Sequence, residues 1–168
     1  MPRNVEIKAR IEDVEALEGK VIAIADSEPT EIIQDDTFFE CANGRLKLRT
    51  FCEERGELIF YKRSDESGPK QSFYLISKTS EPSTLREALR QAYGTAGRVQ
   101  KRRLLYFFGR TRIHLDRVMG LGNFLELEVV LEDNESSEDG IKEAKTILFQ
   151  LGVEDAQLVE GAYVDLLG

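Results

Sequence analysis

The chain has 168 residues, of which 41% are hydrophobic and 32% are charged, and its formal net charge is −8 at pH 7. This length suffices for one domain with a full core, and the chain is too apolar to be intrinsically disordered. The acidic balance argues against non-specific nucleic-acid binding, which needs an outward positive surface, and no apolar run approaches the ~20 residues of a membrane span.

Alternation of polar and apolar residues predicts eight β-strands. The predicted strands are residues 4–11, 32–41, 45–51, 57–63, 71–78, 99–108, 110–118 and 124–132. In the first strand, Asn4, Glu6, Lys8 and Arg10 alternate with apolar residues. Each strand therefore has one charged and one apolar face.

Three helices interrupt or follow these strands. Helical spacing of apolar residues predicts a helix over 12–25, a second with Ser83 as its N-cap and Gly94 just beyond its end, and a third over 136–151. The tail, residues 158–167, is apolar enough to dock on the rest of the chain. No repeat, linker or change of composition divides the chain, so we predict a single domain over residues 1–168.

Two arrangements of the strands remain open at this point. The charged faces point either to solvent, as in most half-buried strands, or into the interior of a closed barrel. The second arrangement is favoured because the pattern recurs in many strands, and the helices need apolar strand faces to pack against. We therefore predict an α+β fold, an eight-stranded antiparallel β-barrel with a charged interior and flanking helices.

The charges on the candidate interior faces suit one class of ligand. Carboxylates are Glu6, Asp116, Glu126 and Glu128, and hard oxygens of this kind bind Mg²⁺ or Mn²⁺. Basic side chains bind the oxygens of a polyphosphate. The basic candidates are Lys8, Arg10, Arg45, Lys47, Arg49, Lys62 or Arg63, Lys101, Arg103, Arg110 and Arg112.

Five segments in this order resemble the CYTH domain of the triphosphate tunnel metalloenzymes, a group that includes thiamine triphosphatases, inorganic triphosphatases and class IV adenylyl cyclases. The segments are Val5-Glu6-Ile7-Lys8, Gln34-Asp35-Asp36-Thr37-Phe38-Phe39, Gly44-Arg45-Leu46-Lys47-Leu48-Arg49, His114-Leu115-Asp116 and Gly120-Leu121-Gly122-Asn123-Phe124-Leu125-Glu126-Leu127-Glu128. The resemblance covers nearly the whole chain. It implies a tunnel in which Glu6, Glu126 and Glu128 hold Mg²⁺ or Mn²⁺. It also implies a phosphate-binding set of Lys8, Arg45, Lys47, Arg49, Arg63, Lys101, Arg103 and Arg112.

These residues lead to a hypothesis about the reaction. A metal on Glu126 and Glu128 would orient the terminal phosphate and a water molecule, and Glu6 or Glu128 would help to deprotonate that water. Lys8 would bind phosphate or donate a proton to the leaving group. The expected activity is hydrolysis of tripolyphosphate, thiamine triphosphate or a nucleoside triphosphate with release of orthophosphate. The alternatives are an adenylyl cyclase and a non-catalytic polyphosphate-binding module.

The chain departs from the family pattern at two places. Asn4 stands where the family signature has its first glutamate, which removes one metal-binding charge. Phe38 and Phe39 stand where thiamine triphosphatases resemble one another in having a tyrosine, which weakens the case for a dedicated thiamine triphosphatase. We assign His114 a supporting or structural role beside Asp116.

The remaining expectations concern location and partners. The first ten residues lack the apolar segment of a signal peptide, which predicts a cytoplasmic protein. Cys41 and Cys52 have no metal-ligand spacing and are predicted to be reduced structural thiols. We expect a small-molecule triphosphate as partner, no membrane, no general nucleic-acid binding, and either a monomer or a homodimer.

Overall fold

Eight antiparallel strands close into a barrel in this structure, a computed structural model that describes residues 3–63 and 70–167 apart from the side chains of residues 63 and 70–72. The strands are β1 (Arg3–Ile11), β2 (Thr30–Phe39), β3 (Arg45–Cys52), β4 (Arg55–Arg63), β5 (Lys70–Thr79), β6 (Thr95–Phe108), β7 (Thr111–Val118) and β8 (Gly122–Leu131). Their order around the barrel is β1-β5-β4-β3-β2-β6-β7-β8, and β8 pairs with β1 to close the ring. The predicted fold is confirmed.

Two of the helices, α1 and α3, begin where a polar side chain satisfies a free backbone amide. They are α1 (Val14–Ile24), α2 (Pro82–Tyr93), α3 (Ser137–Gln150) and the short α4 (Tyr163–Leu167), with a 3₁₀ turn at Asp155–Gln157. Asp13 accepts a hydrogen bond from the amide of Ala16 at 3.0 Å, and Ser136 accepts one from Glu138 at 3.2 Å. Both are N-cap interactions of the ordinary kind.

The main core lies between the outer face of the barrel and two helices. On β1, Val5, Ile7 and Ala9 are at most 2% exposed and pack in one cluster with Val21 of α1 and Ile147 of α3. The outer faces of β7 and β8 join the same cluster. Because the apolar faces are used outside, the charged faces of these strands must point inward.

Several predicted boundaries differ from the structure, and two of the differences have a clear physical reason. Helix α2 begins at Pro82 with Glu81 as its N-cap residue, so Ser83 lies inside the helix. Proline suits the first helical position because its φ is already helical and the amide proton it lacks would have no partner there. Strand β6 begins at Thr95 rather than Val99, because it pairs with β2 as far as Phe39.

The tail docks on the barrel, as predicted. Val159 donates a backbone hydrogen bond to the carbonyl of Lys8 at 3.0 Å, and the last turn, α4, packs against β6. Gly97 of β6 lies so close to Val164 that a Cβ atom at this position would clash with the valine side chain. In the described part of the chain, the helices are too short or too polar to span a membrane.

Candidate active site

The inward side chains of the barrel surround a cavity of about 370 Å³, which we call the lumen. Residues of all eight strands line the lumen, together with Ala162 and Tyr163 of the tail. On β1 the lining residues are Asn4, Glu6 and Lys8, in alternation with the buried core residues of the outer face. Nine of the charged residues predicted for the interior thus surround one space: Glu6, Lys8, Lys47, Arg49, Lys101, Arg103, Arg112, Glu126 and Glu128.

One wall of the lumen is acidic. Glu6 lies directly opposite Glu128 in the pairing of β1 with β8, and Lys8 lies opposite Glu126. Burial, together with the neighbouring charges of Glu6 and Glu126, raises the pKa of Glu128 to about 7. Arg112 opposes the shift, and its Nη1 donates a hydrogen bond to Glu128 Oε1 at 3.1 Å. Burial thus leaves Glu128 hard to ionise without an added positive charge.

The same wall offers a group of atoms that fits a divalent cation. One ligand atom each from His114, Glu126 and Glu128 lie within 4.8 Å of one another. Burial lowers the pKa of His114 to about 4, so its imidazole is neutral at pH 7 and has a lone pair to offer. Asn4 Oδ1 also lines this region, buried and without a hydrogen-bond partner in the described part of the protein. The metal set predicted from sequence did not include His114.

The opposite wall is basic and is organised by one aspartate that the sequence-based site omitted. Asp36 accepts two hydrogen bonds from Arg49, from Nε and Nη2, each 2.8 Å long, and lies 3.0 Å from Lys47 Nζ. Burial raises the pKa of Asp36, but Arg49 and Lys47 outweigh that effect and hold the pKa well below its usual value. Asp36 therefore stays ionised and orients both cations.

Arg103 connects the two walls. Its guanidinium donates to both oxygens of Asp116, at 2.7 and 2.8 Å, and lies 3.5 Å from Glu126 Oε1. The hydroxyl of Tyr163, from the tail, donates to the same aspartate at 2.7 Å. All of these groups are buried, so their charges interact in a medium of low dielectric constant. Arg103 is held in a fixed orientation in which it faces the lumen.

Lys101 lies on the same strand but lacks such support. Burial lowers the pKa of Lys101 well below its usual value, and the charges of Arg103 and Arg49 lower it further. Within residues 3–63 and 70–167, no carboxylate lies within the 4.0 Å of an ion pair with Lys101. Gln34, its neighbour in register on β2, has a buried Oε1 that lacks a described hydrogen-bond partner. These two side chains are poised for an anionic, hydrogen-bonding ligand.

Lys8 lies between the acidic wall and the tail. Its Nζ donates to the carbonyl of Gly161 at 3.0 Å, lies 3.9 Å from Glu126 Oε2 and sits 4.0 Å from the centre of the Tyr163 ring. Strand β2 carries Phe38 and Phe39 where a tyrosine was expected to accompany Lys8. The structure places a phenol there from the tail, and no local sequence signal pairs residues so far apart.

The remaining predicted cations differ in position. Arg45 does not line the lumen and pairs instead with Asp165 of α4. Lys62 is exposed, and the side chain of Arg63 lies outside the described residues. Arg10 and Arg110 were wrongly considered as interior residues: Arg10 is exposed at the end of β1, and Arg110 precedes β7 and binds Glu135 and Glu143. Arg10 is the next-to-last residue of β1 and Arg110 lies one residue before the start of β7, and neither side chain lines the lumen.

The two adjacent aspartates of β2 provide a test of the inward face. Asp36→Asn removes the buried carboxylate charge that Arg49 binds through two hydrogen bonds and that lies 3.0 Å from Lys47, and we expect it to lower the free energy of unfolding by about 3 kcal/mol or more. Asp35→Asn on the outer face affects a pair with Arg98, which is 57% exposed, and we expect a loss below about 1 kcal/mol. Urea denaturation at neutral pH measures both. Equal losses would contradict the burial of the inner pair.

Comparison with known proteins agrees with this geometry. The CYTH domain family matches residues 2–163 of the chain. Over 171 residues, the chain is 26% identical to a protein of Aeromonas hydrophila named adenylate cyclase CyaB, with 95% of this chain and 86% of that protein covered.

Two solved structures share the fold. The PH1012 protein of Pyrococcus horikoshii OT3 superposes with a TM-score of 0.85 at 23% identity and covers 98% of this chain and 99% of its own. A Hippeastrum protein, for which a dominant triphosphatase activity is described, gives a TM-score of 0.69 at 12% identity, with 99% of this chain and 95% of that chain covered. At these identities the likeness establishes the architecture alone.

Proposed function

The chain belongs to the CYTH domain family, and from that premise we propose that it is a divalent-metal-dependent hydrolase that releases orthophosphate from a triphosphate compound bound in the lumen. A single observation carries the proposal: a buried acidic wall faces a buried basic wall across one cavity. Lys101, Arg49 and Arg103 are on the basic side and Glu126 and Glu128 on the acidic side. The phosphate oxygens of such a ligand would pair with the basic wall, and its metal counterion would pair with the acidic wall.

The basic side chains bind and orient the phosphates. Lys101 and Lys47 offer ammonium protons as point charges, whereas Arg49 and Arg103 present guanidinium groups fixed by Asp36 and Asp116. Phosphoryl transfer spreads negative charge over the equatorial oxygens of the transferred group, so preorganised cations lower the barrier. Their orientation is set before the substrate arrives, which avoids a reorganisation cost during the reaction.

The acidic side holds the metal and handles the proton. Glu126, Glu128 and His114 would bind Mg²⁺ or Mn²⁺, with the Asn4 amide oxygen nearby. The metal, when bound, supplies neutralisation of phosphate charge and activation of water. Glu6, opposite Glu128, accepts the proton of the attacking water, and Lys8 binds the phosphate chain at the tail end of the lumen. Orthophosphate is released from the terminal position of the substrate's phosphate chain.

An adenylyl cyclase is the second candidate, because the Aeromonas hydrophila relative carries that name. The same phosphate-binding residues would hold ATP while a ribose hydroxyl attacks the α-phosphate and pyrophosphate leaves. The two reactions yield different products, so chromatography separates the proposals.

The decisive experiment incubates the purified protein with Mg²⁺ or Mn²⁺ and, separately, tripolyphosphate, thiamine triphosphate and ATP, with Glu126→Ala as the control. Metal-dependent release of orthophosphate, lost in the variant, supports the hydrolase. Cyclic AMP with pyrophosphate supports the cyclase. A protein that gives no product from any of the three compounds is a binding module.

Asn4 offers a further test of the metal site. Asn4→Glu restores the first glutamate of the family signature beside Glu128, and we expect the dissociation constant for Mg²⁺ to fall about tenfold, which corresponds to about 1.4 kcal/mol. Calorimetric titration of the substrate-free protein measures this constant. Asn43→Glu in the β2–β3 turn is the matched control and should leave it unchanged. An unchanged constant in Asn4→Glu would place the ion elsewhere.

A further inference from the structure

The tail holds one aromatic side chain inside the lumen. Tyr163, the first residue of α4, is 4% exposed and packs with Val164 in a second core cluster that includes Phe124 of β8. The centroids of the Tyr163 and Phe124 rings are 4.9 Å apart. The segment before α4 is bound to β1, where the amide of Val159 donates to the carbonyl of Lys8 at 3.0 Å. The position of the Tyr163 ring is therefore set by the fold before a ligand binds.

The ring lies against two lysines of the lumen. Lys8 Nζ is 4.0 Å from the centre of the Tyr163 ring, and Lys101 Nζ is 5.0 Å from the same centre. Both distances are within the roughly 6 Å over which an aromatic ring attracts an ammonium group. Lys8 belongs to β1 and Lys101 to β6, and β7 and β8 lie between these strands in the barrel. One side chain of the tail thus contacts cations of two strands that are not neighbours.

The hydroxyl of Tyr163 supports a third cation. It donates to Asp116 Oδ2 at 2.7 Å, and the same carboxylate accepts two hydrogen bonds from Arg103, at 2.7 and 2.8 Å. Burial and the negative charge of Asp116 raise the pKa of Tyr163 well above its usual value, so the hydroxyl keeps its proton at neutral pH. The hydroxyl therefore helps to fix the carboxylate that orients Arg103.

Resting on the proposed function, we infer that Tyr163 is a positioning residue for the cations that bind the phosphates. Its ring holds Lys8 and Lys101 in the lumen. Its hydroxyl supports Arg103 through Asp116. The tail therefore contributes to phosphate binding through the orientation of these side chains, and phosphate itself contacts the cations.

An aromatic ring suits this role better than a carboxylate would. A carboxylate beside Lys8 and Lys101 would neutralise their charges and compete with phosphate for them. The ring attracts both ammonium groups through its quadrupole and carries no net charge, so both positive charges remain available to an anion. An ammonium group has three N–H donors, and a ring on one side leaves donors for phosphate oxygens on another.

The test measures equilibrium binding of tripolyphosphate by calorimetry in the presence of a chelator, which prevents metal-dependent turnover. Tyr163→Leu removes the ring and the hydroxyl, and we expect the dissociation constant to rise about tenfold, which corresponds to about 1.4 kcal/mol. Tyr163→Phe keeps the ring, and we expect its dissociation constant to stay within about threefold of the wild-type value. Rescue by phenylalanine would assign the effect to the ring.

Val164→Ala is the matched control. Val164 packs in the same cluster as Tyr163 but does not line the lumen. Removal of two methyl groups from this cluster should lower the midpoint of urea denaturation and leave the dissociation constant for tripolyphosphate unchanged. Weaker binding in Val164→Ala, equal to that in Tyr163→Leu, would reduce the role of Tyr163 to docking of the tail and overturn the inference.

A double-mutant cycle shows whether the ring acts through Lys8. In a Lys8→Met background, one of the two ammonium groups over the ring is absent, so we expect Tyr163→Leu to raise the dissociation constant about threefold or less instead of about tenfold. Equal increases in the two backgrounds would overturn the inference. Tyr163→Met provides a second variant without a ring in case Tyr163→Leu unfolds.

Orthophosphate release with Mg²⁺, measured separately, distinguishes this inference from the proposed function. If the wild type binds tripolyphosphate but releases no orthophosphate, the hydrolase is overturned, and weaker binding in Tyr163→Leu with rescue in Tyr163→Phe still supports the inference. If Tyr163→Leu binds as the wild type does, or if Tyr163→Phe binds as weakly as Tyr163→Leu, the inference is overturned and the hydrolase stands. A wild type that binds no tripolyphosphate overturns the inference as well.

Discussion

Glu128→Gln is expected to lower metal-dependent turnover by about 100-fold or more and, at the same time, to make the metal-free protein more stable at neutral pH. The loss of turnover follows from the loss of a metal-binding charge next to His114 and Glu126. The gain in stability follows from the position of Glu128, a buried carboxylate beside two others. If Glu128 instead stabilised the fold, Glu128→Gln would make the metal-free protein less stable at neutral pH.

The sign of the stability change comes from proton linkage. Because the pKa of Glu128 is raised from 4.5 to about 7, the folded protein keeps a proton in that interval that the unfolded chain has lost. The free energy of unfolding therefore falls as pH rises from about 4.5 to about 7, by on the order of 3 kcal/mol, at about 1.4 kcal/mol for each unit of pKa. Glutamine has no such proton and escapes the loss.

Urea denaturation in the presence of a chelator, at about pH 5 and about pH 8, measures this difference between the wild type and Glu128→Gln. The wild type should approach the variant at the lower pH and fall below it at the higher one. Glu53→Gln, in the exposed turn between β3 and β4, should follow the wild type at both. A variant that is less stable than the wild type at the higher pH would contradict the inference that ionised Glu128 destabilises the folded protein.

The barrel was predictable because each strand repeats the same rule. Alternation at a period of two puts Glu6 and Lys8 on one face and Val5 and Ile7 on the other, whatever the neighbouring strands are. The choice of which face is inside needed a second argument, the requirement that helices have apolar partners. Since several strands and three helices make that argument together, it did not depend on any one residue.

The pairing of charges inside the lumen was not predictable. Alternation predicts that Arg49 faces inward, but its partner Asp36 was not among the predicted interior residues, and the pairing depends on the register of β2 with β3. The predictions for Arg10 and Arg110 were wrong because side chains at the end of a strand need not follow the alternation of inward and outward side chains that holds in its interior. Tyr163 is set by the docking of the tail, which short-range periodicity does not encode.

Lys101→Met tests the basic wall by the same logic with the opposite charge. The ammonium of Lys101 is buried near Arg103 and Arg49, and that environment lowers the pKa of Lys101 well below its usual value. A phosphate oxygen would reverse this penalty by supplying the missing negative charge. We expect the variant to bind a triphosphate about 10- to 100-fold more weakly, since a hydrogen bond to a charged group contributes about 1.5–3 kcal/mol.

Without a bound ligand, Lys101→Met should nevertheless be more stable than the wild type. A lowered lysine pKa means that the folded protein holds its proton less well than the unfolded chain, so the charged side chain opposes folding at neutral pH, and this cost declines as pH rises toward the usual lysine range. Methionine fills a similar volume without the charge. Thermal unfolding without ligand, together with calorimetric titration of the triphosphate, separates the two effects.

Arg102→Met is the matched control, because Arg102 is the next residue on β6 but faces outward and pairs with Glu31 across an exposed surface. It should bind the triphosphate as the wild type does, with no gain in stability. If Lys101→Met bound the triphosphate normally, Lys101 would have no part in phosphate recognition, and the basic wall would consist of Lys47, Arg49 and Arg103. If binding weakened while stability also fell, Lys101 would support the fold rather than stand ready for a ligand. Weaker binding together with higher stability would show that the charge of Lys101 serves to bind the substrate and does not stabilise the fold.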